Sequence, residues 1–222
     1  MNLTLFDLDG TLIPVDSDHS FGAFMVDVGW ADGAAWGARN DEFFAQYNAG
    51  TLNLPAYVEF ATSAWRHRPL EEALAMRERF MAEIGEPALR PEARALVERH
   101  RAAGDLIALV TATNEFVTAP FARAFGIEHL IAVQLERDEQ GRYTGAIRGV
   151  PSFREGKIER VQGWLQGLGA QWRDFERVTF YSDSTNDLPL LERVSHPVAT
   201  NPSATLARIA GERGWPQLQL FA

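Results

Sequence analysis

The chain has 222 residues, 46% apolar and 23% charged, with 14 Phe and 6 Trp, which excludes a disordered chain and suits one core domain carrying a smaller insert. It has no cysteine, which excludes disulfides, thiolate nucleophiles and cysteine-based zinc sites. With 21 basic against 30 acidic residues the net charge is −9, so phosphate backbones are repelled and nucleic acid is not expected as a partner.

Asn2 to Leu8 places Leu3, Leu5, Phe6 and Leu8 before Gly10 and predicts a short buried strand running into a turn. No signal-peptide pattern is read in Met1 to Gly10, and no apolar run in the chain reaches the roughly 18–20 residues of a membrane span, so no membrane partner and a cytoplasmic location are expected. From Asp16 to Glu86 apolar residues fall three and four apart, as in Phe21, Phe24, Met25 and Val28, then Tyr57, Phe60, Ala61, Ala64 and Trp65; several helices and no strand are expected there. Ala93 to Ala103 reads as a helix, with Arg99, His100 and Arg101 at the end where cations suit its dipole and Gly104 as its stop. Leu106 to Val110 is a buried strand, and Phe116 to Phe125 a helix ended by Gly126. Ile131 to Glu136 and Arg142 to Ile147 flank Asp138-Glu139-Gln140-Gly141 and predict a hairpin. Lys157 to Leu168 is a helix closed by Gly169, Val178 to Ser182 a strand and Leu188 to Glu192 a short helix. This alternation implies an α/β fold, a Rossmann-like parallel sheet with helices on both faces. The core is expected to comprise residues 1–15 and 87–222, with residues 16–86 as an inserted all-helical domain.

Ligands of such sheets bind beyond the carboxyl ends of the strands. Three of the predicted strands end in polar clusters: Asp7 and Asp9; Thr111, Ala112 and Thr113; and Asp183, Asn186 and Asp187, with Lys157 opening a helix between the last two. Two carboxylates about 4 Å apart repel by roughly 4 kcal/mol at an effective dielectric of about 20. Four at one edge call for a cation, and an all-oxygen donor set suits Mg²⁺. Asp-x-Asp supplies a nucleophile and an acid/base. The metal, the lysine and exposed amides all favour an anionic phosphoryl group.

Asp7-Leu8-Asp9-Gly10-Thr11-Leu12, Val110-Thr111-Ala112-Thr113, Lys157 and Ser182-Asp183-Ser184-Thr185-Asn186-Asp187 resemble, in order, the four motifs of the haloacid dehalogenase superfamily. The helical insert and the hairpin before Lys157 are similar to its phosphoserine-phosphatase-like subfamily IB, in which the insert is a cap. The resemblance implies a Mg²⁺-dependent phosphatase acting on a small phosphate monoester through an aspartyl phosphate. By that resemblance Asp7 is nucleophile and metal ligand, and Asp9 is general acid/base and gives the metal its backbone carbonyl. Gly10 and Thr11 hold the loop around the phosphate. Thr111, the Ala112 amide, Lys157 and Asn186 bind phosphate. Asp183 is the further metal ligand, and Asp187 acts on metal-bound water or on Lys157. Ser182 and Ser184 stand where the family's GDGxND motif has glycine, which puts the loop geometry in question.

In phosphoserine phosphatases an acid after the first motif faces the substrate ammonium. Asp16 falls at that place, with Asp18 and His19 close behind. The cap arginine that grips a serine carboxylate has Ala61 at its position, and the nearest arginine is Arg66. An unpaired carboxylate would be costly to desolvate there. An amino-alcohol phosphate such as histidinol phosphate is therefore favoured over phosphoserine or another small metabolite, with Trp30, Trp36 and Trp65 available as ring faces for an imidazole or cation. The bland readings are that Asp16 and Asp18 cap a helix, that the tryptophans are core, and that the fold is a catalytically silent binding protein. The sequence says nothing of the oligomeric state.

Overall fold

The computed structural model describes residues 1–221. Its main sheet runs β3 (His129–Val133), β2 (Leu106–Asn114), β1 (Leu3–Phe6), β6 (Val178–Ser182), β7 (His196–Thr200), β8 (Gln217–Leu218), and every adjacent pair is parallel. The strands are joined by α6 (Pro91–Ala102), α7 (Glu115–Ala124), α8 (Glu155–Gly167), α9 (Leu188–Arg193) and α10 (Ala204–Arg213). Side chains alternate across β1. Leu3 and Leu5 join Val161, Phe180, Leu190 and Leu206 on one face. Phe6 joins Leu96, Val97 and Phe121 on the other and stacks on Tyr181 at 5.0 Å. Both faces are thus covered, as a parallel sheet requires.

Between β1 and α6 the chain forms α1 (Ser17–Asp27), α2 (Gly33–Asn48), α3 (Leu54–Ser63) and α4 (Leu70–Phe80), which continues through a π-helical turn (Met81–Gly85) into α5 (Glu86–Ala88). Asp16 caps α1 by accepting the His19 amide at 2.7 Å, and Asn53 caps α3 through the Ala56 amide at 3.2 Å. Aromatic rings join these helices to the sheet layer: Trp65 stacks on Phe116 of α7 at 3.9 Å and meets Tyr143 edge-on at 5.0 Å. Two further links cross to the end of α2 and the turn that follows it. Asn186 donates its side-chain amide to the Tyr47 carbonyl at 3.0 Å, and the Arg154 guanidinium donates to the Gly50 carbonyl. Among the described residues no helix is long and apolar enough to cross a membrane.

Two sequence expectations need correction, and a third is settled in favour of packing. The hairpin is β4 (Leu135–Arg137) paired with β5 (Tyr143–Ile147), whereas Ile131, Ala132 and Val133 belong to β3. That apolar run is buried against β2, and the polar Gln134 separates it from the hairpin. β2 runs on to Asn114, with its register to β3 shifting between Val110 and Asn114. The tryptophans are structural: Trp36 stacks on Phe60 at 4.3 Å, Arg68 covers Trp30 at 4.1 Å, and Trp65 is 2% exposed.

Candidate active site

Register brings the motifs together. Phe6 pairs with Leu109 on one side and Tyr181 on the other, so the residues that follow lie side by side toward the carboxyl edge of the sheet: Asp7, Val110-Thr111 and Ser182-Asp183. Gly10 makes the turn after β1 with a φ of +71°, and a Cβ there would lie 2.3 Å from the Asp183 carboxylate. Only glycine tolerates both the backbone conformation and the approach. The Thr11 hydroxyl spans the two acids, 3.5 Å from Asp7 Oδ2 and 3.3 Å from Asp183 Oδ1.

The Lys157 ammonium, on the first turn of α8 and 0% exposed, lies 2.9 Å from Asp7 Oδ1 and 2.7 Å from Asp187 Oδ1. Burial pulls its pKa down, but the Asp187 and Asp7 carboxylates outweigh this and hold it above its ordinary value. The serines standing for glycine hold the fourth loop by side-chain bonds. Ser182 Oγ donates to Asp187 Oδ2 at 2.8 Å and accepts the Ser184 amide at 3.2 Å, while Ser184 Oγ accepts the Asn186 amide at 3.2 Å.

Asp9 is fixed at both oxygens: Oδ1 accepts the Ser17 amide at 2.7 Å, at the start of α1, and Oδ2 accepts the Thr113 hydroxyl at 2.9 Å. Thr111 Oγ1 in turn accepts the Thr113 amide at 3.1 Å. Burial, with the charge of Asp16, lifts the Asp9 carboxyl to about 7 against the pull of its donors. Burial also lifts Asp7 and, with Asp7 and Asp187 nearby, lifts Asp183 well above the usual carboxylate range.

This donor set fits a hard divalent cation. Asp7 and Asp187 share the Lys157 ammonium, and the Thr11 hydroxyl lies between an oxygen of Asp7 and one of Asp183. Among the described residues no group of three or more acidic or histidine side chains could by itself hold a metal ion. Two carboxylates and a backbone carbonyl, completed by phosphate and water, is a usual Mg²⁺ arrangement.

The sequence pattern of haloacid dehalogenase-like hydrolases matches residues 4–192. This chain belongs to that family. It is 43% identical over 217 residues to a curated histidinol-phosphatase of Neisseria meningitidis serogroup C, covering 98% of each chain. It is 34% identical over 220 residues to a curated phosphoserine phosphatase of Mycobacterium tuberculosis, covering 95% of this chain and 68% of that one. A crystal structure of a Bordetella pertussis protein of unknown function superposes with a TM-score of 0.92 at 50% identity, over 99% of both chains. The haloacid dehalogenase-like hydrolase described here is accordingly a phosphatase, a phosphoric monoester hydrolase.

Beside Asp9 this hydrolase has a small cavity of about 30 Å³, reached by Asp16, Asp18, Phe43, Phe44, Tyr47 and Tyr57. His19 also lines it, held by Asp41 at 2.8 Å and stacked on Phe44 at 4.6 Å. Ala112 and Thr113 form its floor. Arg66 is turned away, donating to the Glu59 carbonyl at 2.6 Å and to Thr62 Oγ1 at 3.1 Å. Sequence reasoning missed Tyr47, Tyr57, Asn114 and Ser17, of which only Asn114, directly after the second motif, carried a positional signal. Burial, then neighbouring carboxylates, raises both tyrosines well above their ordinary value, so their hydroxyls stay neutral donors.

Asp9, Asp16 and Asp18 all bind their protons up to about pH 7, chiefly because they are buried. In the unfolded chain they release them near pH 4, so between those values the folded state holds more protons and stability falls as pH rises. The ceiling is about 1.4 kcal/mol per group per pH unit. With EDTA present, the melting temperature is expected to drop between pH 5 and pH 7.5 and then level, and Mg²⁺ is expected to narrow the drop. A melting temperature that climbs over that interval in EDTA would contradict the burial of these acids.

Proposed function

We propose that this phosphatase hydrolyses an amino-alcohol phosphate monoester, with histidinol phosphate favoured, by way of a phosphoryl group carried on Asp7. Residues 16–86 then act as the cap over a core of 1–15 and 87–222. The observation that carries the chemistry is Asp7 lying at the strand end between the Lys157 ammonium and Thr11, with Asp9 held beside it. An Asp7 carboxylate oxygen attacks phosphorus as the ester P–O bond breaks, and Lys157 steadies the charge on nucleophile and phosphate. Asp9, poised near neutrality, gives its proton to the departing alkoxide. The Asp9 carboxylate next takes a proton from water, whose oxygen attacks the phosphorus on Asp7 and releases inorganic phosphate. Asp7, Asp183 and the Asp9 carbonyl would hold Mg²⁺, which when bound offsets the charge of the phosphoryl oxygens.

The substrate reading rests on the cavity's lining, acidic and aromatic with neither lysine nor arginine, and on the likeness to the Neisseria histidinol-phosphatase along the whole chain. The Mycobacterium relative's name favours phosphoserine as a second reading. A serine carboxylate in this cavity would face Asp16 and Asp18 without a cation to receive it. A phosphate-release panel with Mg²⁺ decides: histidinol phosphate is expected to exceed phosphoserine in kcat/KM, and the reverse order would replace this reading with the second. Silence on every ester would leave a binding protein.

A further inference from the structure

β7 ends at Thr200, and the chain turns away from the sheet through Asn201, which lies outside the four motifs. Its φ of +45° is left-handed, and among the described residues other than glycine only Arg154 also has a positive φ. Most side chains resist that conformation, while asparagine tolerates it. The Asn201 side chain uses both its donor and its acceptor. Nδ2 donates to the Gly10 carbonyl at 2.8 Å and lies 3.4 Å from that of Thr11. Oδ1 accepts the Leu220 amide at 2.6 Å and the Phe221 amide at 3.0 Å. Its backbone N–H donates to the Leu218 carbonyl of β8 at 2.8 Å, and two residues on, the Ser203 amide donates to the Asp183 carbonyl at 3.0 Å.

The turn after β1 secures its own amides, because those of Thr11, Leu12 and Ile13 all donate to the Leu8 carbonyl, at 3.2, 2.8 and 3.1 Å. Its carbonyls need partners from elsewhere. In the sheet β6 stands between β1 and β7, so the bond from Asn201 to Gly10 joins the two strands that flank the one leading into Asp183. The loop after β7 thus grips the Gly10 turn by a side chain and Asp183 by a backbone amide. Glycine at this position would suit the φ but offers no side chain, and aspartate would set an acceptor against the Gly10 carbonyl. A tie for the segment after β8 would need Oδ1 alone. The amide half reaches back 191 positions to the turn that follows Asp9.

We propose that Asn201 is a positioning residue for phosphoryl transfer, fixing the turn at Gly10 and Thr11 against Asp183 and joining that turn to the segment after β8. This rests on the reading above, in which Asp7, Asp183 and the Asp9 carbonyl would hold Mg²⁺. Without the Asn201 amide, the Asp9 carbonyl and Asp7 are free to drift relative to Asp183. Groups that orient metal ligands in this way typically carry about 10–100-fold in affinity or rate. The loss should appear in Mg²⁺ affinity and in kcat rather than in KM, because Asn201 acts on the turn and not on the ester.

The test compares the parent with Asn201→Gly, which suits the φ and removes both halves of the clip. Its readouts are calorimetric titration with Mg²⁺ alone and kinetics on p-nitrophenyl phosphate at saturating Mg²⁺. The variant is expected to bind Mg²⁺ about 10-fold more weakly or worse, and to lose about 10-fold or more in kcat with KM changed by less than about threefold. Circular dichroism at the assay temperature confirms the fold. A mere tie to residues 220–221 would lower the melting temperature and leave Mg²⁺ affinity and kcat as in the parent. Should Asn201→Gly not fold, hydrogen exchange in the parent decides. Mg²⁺ is expected to slow the Leu220 and Phe221 amides more than those of α10, and equal slowing would overturn the proposal. A parent that takes up no Mg²⁺ overturns the metal reading, and this proposal with it. A parent that binds Mg²⁺, with Asn201→Gly within about twofold of it in affinity and kcat, overturns this proposal alone.

Discussion

Asp7→Asn is expected to lower kcat by roughly 10⁴-fold or more, about 5 kcal/mol of barrier, while the protein stays folded. The amide matches the carboxylate in shape and still accepts from Lys157, whose second partner, Asp187, remains in place at 2.7 Å. What the amide lacks is the anionic oxygen that bonds to phosphorus. The loss should therefore be the same for histidinol phosphate and for an activated ester such as p-nitrophenyl phosphate, since both need the same first step. A variant retaining a tenth or more of the parent's kcat on either ester would remove Asp7 from the nucleophile's role.

Lys157→Met should cost both stability and activity. The ammonium is wholly enclosed, and it is the positive charge between Asp7 and Asp187. Methionine fills a similar volume but leaves two buried carboxylates facing each other, and breaking a buried pair in this way typically costs about 3–5 kcal/mol. Urea titration at pH 8 in EDTA should show that loss. At pH 5.5 it should shrink, because Asp7, whose carboxyl burial already lifts to about 7, then takes up a proton. Adding Asp187→Asn to Lys157→Met should restore much of the stability without restoring turnover, separating the structural share of the lysine from its share in catalysis. Equal urea midpoints for parent and Lys157→Met at pH 8 would refute the charge balance described here.

The catalytic edge was legible in the sequence because short runs mark it. Leu3 to Leu8, Leu106 to Val110 and Val178 to Ser182 are apolar segments ending in acids or hydroxyls, and parallel pairing of their ends is what a buried α/β sheet does with such runs. The boundary near Val133 was not legible, since an apolar run reads alike whether it joins the parallel sheet or a hairpin. The two serines of the fourth loop looked like defects in a glycine pattern. In space they supply the hydrogen bonds that hold Asp187 and the Asn186 amide. Tyr47, Tyr57 and Asn114 could not be ranked beforehand, because helical periodicity tells which face is apolar but not which strand end it will rest on. Their place depends on how α2 and α3 dock, through rings such as Trp65 and Phe116, which only the tertiary structure reveals.

β1 sits between β2 and β6, and Asp7 is bonded to a lysine 150 positions further along the chain. Asp7 therefore leaves the ribosome 150 residues ahead of the lysine that balances its charge. Until Lys157 and β6 are in place, Asp7 lacks both its ammonium partner and the neighbouring Asp183. Such distant pairings are slow to form. The charge balance around Asp7 thus depends on pairing across the sheet and not on any one local segment.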